Sequence, residues 1–165
     1  MTLFVRPLCL ISLLLTGALF GFFYAWVCST MWGLDGADPR VAVAAMQAMN
    51  ASVRNAVFAP AFFGTPVILL ITTITLFATS NRATAMWFGA ATLVVALLGV
   101  ALTMAVNVPM NEALAALPVP EDIDAARVIW QDYSPAWQFW NQMRTIATGV
   151  GLLCVGVGML QITPR

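Results

Sequence analysis

Four side chains near the start of the last apolar segment share one helical stripe. Trp137, Trp140, Asn141 and Arg144 stand at i, i+3, i+4 and i+7. Upstream, Asn107 and Asn111 are four apart and would share a helix face, with Glu112 next in the chain. A guanidinium and several amides are donors suited to an oxygen that gains negative charge. The flat faces of Trp137, Trp140 and Tyr24 suit a ring system, with Asn50 and Phe62 placed at the same level. The chain has no histidine, so a general base would have to be Glu112 or solvent. That zero also excludes His-ligated zinc, the two-His-one-carboxylate iron site, His-ligated haem and any Ser-His or Cys-His nucleophile. Cys9, Cys28 and Cys154 lie singly in apolar runs without a CxxC and read as small apolar fillers. No metal and no cofactor are expected.

The elements that must position these groups are membrane spans. The 165 residues are 61% hydrophobic and 8% charged, with a mean hydropathy of +0.90. Soluble domains carry about a quarter charged residues. Seven arginines balance seven acids with no lysine, which leaves no basic surface for nucleic acid. A crossing helix needs ~20 apolar residues, and four runs qualify, at about 8–31, 57–79, 83–106 and 136–162. The first ends in Trp26, Val27 and Cys28, a poor cleavage site, and reads as a retained helix. The fourth is expected to open at Ser134-Pro135, with Ser134 as cap and Pro135 in the first turn. The fold class is all-α: an integral membrane four-helix bundle, one transmembrane domain over 1–165, with the lipid bilayer as its partner and a homo-oligomer compatible with it.

Four spans put both termini on one side, with Arg6, Arg82 and Arg165 and no acid. Arg40, Arg54, Arg127 and all seven acids fall on the other. Arginine density in the short connections favours cytoplasmic termini, in a bacterial inner membrane. Each outer connection is expected to hold a short amphipathic helix. One starts at Asp38-Pro39 with Val41, Ala45, Met49 and Val53 as its apolar stripe. The other follows Pro118-Val-Pro120, with acids in its first turn and Ile123, Ala126, Trp130 and Tyr133 as its stripe. Gly17 and Gly21 form a GxxxG pair, and Gly149, Gly151, Gly156 and Gly158 punctuate the fourth span, where glycine lets backbones approach.

An antiparallel bundle brings the polar segments to one level. Arg144 would sit roughly 10 Å into its helix, a depth at which a charge calls for a partner, and Glu112 is the best-placed acid. The amides of Asn107 and Asn111 could satisfy carbonyls that Pro109 frees. Two arrangements fit. Arg144 is either sealed against Glu112, with the aromatics as interfacial anchors, or it lines an aromatic-walled pocket open to the outer side. A cavity of roughly 300 Å³ or more would favour the second.

At these residues the sequence resembles the anthrone-oxygenase-like family of small four-span membrane proteins, long filed as a domain of unknown function. The stretches that carry the resemblance are Gly21-Phe-Phe-Tyr24, Met31-Trp-Gly-Leu34, Ala45-Met46-Gln-Ala-Met-Asn50, Phe63-Gly-Thr-Pro66, Asn107-Val-Pro-Met-Asn111 and Trp137-x-x-Trp140-Asn141-x-x-Arg144. Trp32 departs from the pattern, where such proteins often have proline. The resemblance implies a four-helix membrane fold and, from its fungal members, oxidation of an anthrone to an anthraquinone by molecular oxygen with no identified cofactor. It would make this chain a monooxygenase acting on a hydrophobic aromatic small molecule. On that reading Trp137, Trp140 and Tyr24 hold the ring. Arg144 stabilises the oxyanion with Asn107, Asn111 or Asn141, and Glu112 is the candidate base. The alternative is a non-enzymatic membrane protein, either a complex subunit or a lipophile-binding module.

Overall fold

The structure is a computed structural model that describes residues 2–162, with side chains from Phe4 onward. Arg165, counted above in the charge asymmetry, lies outside the described residues. Four helical stretches are long and apolar enough to cross a membrane: Phe4–Asp35, Phe58–Ala78, Arg82–Ala115 and Ile123–Leu160. The first consists of α1 (Thr2–Ala25), a π-helical turn at Trp26–Thr30 and α2 (Met31–Asp35). A separate helix, α3 (Pro39–Ser52), precedes α4 (Phe58–Ala78). The third stretch is α5 (Arg82–Val94), π-helical turns at Val95–Ala101 and Thr103–Asn107, and α6 (Val108–Ala115). Helix α7 (Ile123–Leu160) closes the bundle. Helices α1, α4, α5 and α7 form a ring in which each packs on its two neighbours.

Local chemistry sets the helix starts. Asp38 accepts from the Arg40 backbone N–H at 2.9 Å, and Pro39 fills the first helical position of α3. Asn55 Oδ1 accepts from the N–H groups of Val57 and Phe58 at the head of α4. Asp122 does the same for Asp124 and Ala125 at the head of α7. Helix α3 lies across one end of the bundle against α2, α6 and α7. Its buried face is Ala42, Val43, Met46 and Asn50, with Val41 exposed. The inward stripe is therefore turned from the expected Val41, Ala45, Met49 and Val53, because Ala42 and Val43 join the cluster of Trp130, Tyr133 and Trp137.

The second outer helix is not separate. Its residues are the first turns of α7, which runs straight through Pro135. A proline inside a helix costs ~3 kcal/mol, and a staple spans the defect. Asp35 accepts from Trp130 Nε1 at 2.9 Å, Ser134 Oγ at 2.7 Å and Gln138 Nε2 at 2.9 Å. These three donors sit four apart on one face of α7, on both sides of Pro135, and one carboxylate holds them in line. Ser134 is thus a ligand of Asp35 rather than a cap. The third helix likewise continues past Pro109. The turn before that proline is wound as a π-helix, with Val108 N–H on Thr103 O, five residues back.

The glycines sort by contact. A Cβ at Gly151 would stand 2.7 Å from Val95 Cγ2, and one at Gly158 would stand 3.0 Å from the Phe88 ring. Close approach therefore belongs to α7, against the third helix at Gly151 and Gly158 and against Phe20 of α1 at Gly149, where a Cβ would stand 3.1 Å from the ring. At Gly21 nothing lies within 4 Å, and at Gly17 only a Leu152 methyl at 3.9 Å, so the GxxxG pair makes no tight crossing in this chain.

Candidate functional site

Below α3 the bundle opens into a cavity of about 570 Å³, within the ~300–1,000 Å³ of small-molecule sites. Its aromatic walls are Phe22, Phe23 and Trp26 from the first helix, Phe58 and Phe62 from α4, and Trp137 from α7. Arg144, Thr103, Asn111 and Asn50 supply polar groups, and Arg54 and Glu112 also line it. Two of the three π-helical turns reach this cavity, through Trp26 and through Thr103 and Met104. A π turn adds a residue to the helix and so re-aims the side chains at that level.

Arg144 is the centre of the site. Only 5% of it is exposed, and no acid among the described residues pairs with it. Its Nε and Nη2 donate to Asn141 Oδ1 at 3.2 and 3.0 Å, and its Nη1 donates to Thr103 Oγ1 at 3.2 Å. The Thr103 hydroxyl gives its own proton to Gly99 O at 2.6 Å, which fixes it as an acceptor toward Arg144. The guanidinium lies 4.5 Å from the Phe23 ring centroid and 5.1 Å from that of Trp137. A guanidinium has five N–H groups and keeps its charge at neutral pH. Three are spent on the protein, and one on each terminal nitrogen is left. Burying a charge with no counter-ion costs several kcal/mol, so this site holds positive potential in reserve.

A second donor is oriented beside it. Asn111 Oδ1 accepts from Tyr133 Oη and from Trp137 Nε1, each at 2.8 Å. Asn50 Nδ2 donates to Tyr133 Oη at 3.4 Å. With its oxygen doubly engaged, Asn111 has only its amide N–H groups left, and they have no partner among the described residues. The cavity therefore presents hydrogen-bond donors on a positively charged floor between π faces.

Residues 54–154 match the family model described as anthrone oxygenase. The chain belongs to the anthrone oxygenase family. No curated protein and no solved structure matches it significantly. The family match covers Arg54, Phe58, Phe62, Thr103, Asn111, Glu112, Trp137 and Arg144 of the cavity. Phe22, Phe23, Trp26 and Asn50 lie before it.

Of the residues singled out by sequence, the structure brings Arg144, Asn111, Glu112, Trp137, Asn50 and Phe62 to this family member's cavity. Asn141 stands behind Arg144, accepting from it and donating to Phe23 O at 3.2 Å. Asn107 is fully buried outside the lining, and neither of its amide atoms has a hydrogen-bond partner. Neither it nor Asn111 therefore caps a carbonyl freed by Pro109. Glu112 pairs with Arg54 at 3.1 Å, both side chains more than half exposed, and not with Arg144. The reason is level: Glu112 lies in α6, beyond the π turns, while Arg144 reaches Thr103 deeper in the bundle. Tyr24 stacks on Phe20 at 5.6 Å, half exposed. Trp140 meets Phe139 edge-on. Neither lines the cavity, because each is turned about the helix axis away from its pocket-facing neighbour.

Phe23, Thr103, Tyr133 and Asp35 were not singled out as site residues. Phe23 lay within the quoted Gly21-Phe-Phe-Tyr24 stretch, so its signal was visible. Thr103 carried none, since a threonine in an apolar run ordinarily just bonds its own helix. Among the described residues no three His, Cys, Asp or Glu side chains gather.

Proposed function

We propose that the cavity takes up a flat, hydrophobic aromatic with an enolisable carbonyl, holds its anion, and lets molecular oxygen oxidise it, as the family's anthrone chemistry suggests. One observation carries the reading: a buried arginine with no acid and two unspent N–H groups. On this reading the substrate oxygen lies against those N–H groups and the Asn111 amide, with the rings between Phe23, Trp137 and Phe62. Loss of a proton from the methylene opposite the carbonyl gives an enolate whose charge rests on that oxygen. The electron-rich methylene carbon then bonds to oxygen and gives a peroxide. Loss of its remaining hydrogen as a proton, with cleavage of the O–O bond, forms the second carbonyl and releases water. One anthrone and one oxygen thus become one anthraquinone and one water. Glu112 at the mouth, or solvent, takes the first proton. The setting is a bilayer, with both termini cytoplasmic in a bacterial inner membrane and the α3 end outside.

The test is oxygen consumption with a simple anthrone by purified protein in detergent, wild type against Arg144→Met. Loss of a principal oxyanion donor lowers turnover by about 10²–10³-fold. Full turnover in the variant would sink the oxyanion role. A second reading, a lipophile-binding module or complex subunit without catalysis, is favoured by one fact: the only acid lining the cavity is already engaged by Arg54. Tight binding of an anthraquinone with no oxygen consumption would select it.

A further inference from the structure

A second groove of about 490 Å³ lies between α1 and the start of α4, under the end of α3. It shares Phe22, Trp26, Val53, Asn55 and Phe58 with the cavity, so these residues form a wall common to both spaces. The centre of that wall is a pair of rings, Phe22 and Phe58, with centroids 4.6 Å apart. Below it, Ala18 and Ala61 line the groove with methyl groups only, which is what leaves it open. It holds no charged side chain, and its Ser52 and Asn55 groups are engaged locally, which leaves the Trp26 indole N–H as its one unengaged side-chain polar group among the described residues. Ser52 Oγ donates to Met49 O, Asn55 Nδ2 donates to Ser52 O, and Asn55 Oδ1 accepts two backbone N–H groups.

We infer that this groove is the bilayer-side entrance to the cavity, a transit site for the uncharged, flat aromatic form of the same ligand. The inference rests on the function proposed above and adds the route and the form in which the ligand arrives. A hydrophobic aromatic partitions into lipid before it meets the protein, and the groove opens on the outer side of α1 and α4, two helices apolar enough to cross a membrane. With no charged side chain in its lining, the groove gives an anion no counter-charge. It offers mainly apolar surface to a neutral molecule. The positive charge of Arg144 and the Asn111 amide are reached only beyond the Phe22–Phe58 pair. Two aromatic rings can swing about their side-chain torsions without breaking a hydrogen bond, so the wall opens at low cost. Charge thus develops on the ligand only after it has passed the rings. The water-facing mouth is bridged instead by the Arg54–Glu112 ion pair.

The experiment plugs the groove after the protein has folded. Ala61→Cys, in a background with Cys28→Ser and Cys154→Ala, is reconstituted into phosphatidylcholine vesicles and modified with benzyl methanethiosulfonate. Binding of a dihydroxyanthraquinone is followed by quenching of tryptophan fluorescence. The plug should slow association and dissociation together by about tenfold, with the equilibrium constant moving less than about twofold, since it blocks a path and not the site. Reductant should restore both rates. Ala18→Cys, modified on the opposite wall, should behave alike. Unchanged rates with the plug in place overturn the entrance and leave the groove to lipid chains, while the cavity reading stands. Absence of binding by the unmodified protein overturns the cavity reading and the entrance together.

Discussion

The two halves of this bundle treat their polar groups in opposite ways. In the half away from α3, the buried hydroxyls are satisfied at home. Thr16, Thr72, Thr73 and Thr92 each donate to the carbonyl four residues back in their own helix. Across helices Ser12 Oγ donates to Thr72 Oγ1 at 2.9 Å, while the Thr73 and Thr92 oxygens, with their protons on their own helices, only stand 3.3 Å apart. The remainder is an apolar core that includes Leu69, Leu76, Phe88 and Val155. In the α3 half, polar groups reach across helices, and some donors are left over. Asp35 and Arg144 make the contrast sharpest. The acid, at the surface, collects three donors and ties two helices together, while the base is buried against neutral acceptors and keeps two donors. Satisfaction makes scaffold, and incomplete satisfaction makes a site.

The contrast is best broken by supplying the missing acid. Asn141→Asp would pair directly with Arg144, and anthraquinone binding should fall by at least ~100-fold as the reserve charge is cancelled. Thermal stability in detergent should change little, because the partner gained by a buried lone charge is offset by the lost amide hydrogen bond to Phe23 O. A variant that binds as well as wild type would show that the unpaired charge does not select the ligand. Next in size is Asp35→Ala, which strands Trp130 Nε1 and Ser134 Oγ and leaves Pro135 unsupported. Equilibrium unfolding should show a loss of about 2–3 kcal/mol, with Asp35→Asn losing less. In the other half, Gly151→Ala drives a methyl into Val95 and should cost about 1–3 kcal/mol. The double variant with Val95→Ala should recover most of it, and failure of that rescue would mean the seam is looser than its 2.7 Å contact indicates.

The smallest effect is a pH dependence at the head of α3. The Arg40 side chain and its backbone N–H hold the Asp38 carboxyl down at about 2. A carboxyl whose folded pKa is depressed adds stability that is fully present above its ordinary value of 3.8 and is lost as pH falls through about 2. Wild type and Asp38→Asn should therefore melt a constant interval apart above pH 4 and converge as pH falls from 4 toward 2. Parallel curves would remove the cap from the account.

Legibility followed the same division. The apolar half could be read from composition alone, because a run of ~20 apolar residues has one low-energy structure in lipid. The stripe at Trp137, Asn141 and Arg144 could be read from helical spacing. Proline misled at Pro135, since the staple that holds α7 straight comes from Asp35, a hundred residues earlier in the chain. Helical phase misled at Tyr24 and Trp140, where a turn about the axis separates a pocket wall from a ring outside the cavity.

The amino-acid order by itself determined an all-helical chain with four stretches fit to cross a membrane, the Asp38 cap of α3, the family, and a polar level holding Arg144. These depend on contacts within a few residues or on partition into lipid, and both are local properties. Only the tertiary structure decided that Glu112 goes to Arg54, that Thr103 and Asn141 hold Arg144, and that a cavity rather than a sealed pair lies between the helices. Those outcomes turn on the rotation and depth of whole helices against one another, and two π-helical turns, at Trp26–Thr30 and Thr103–Asn107, reset both at the level of the site.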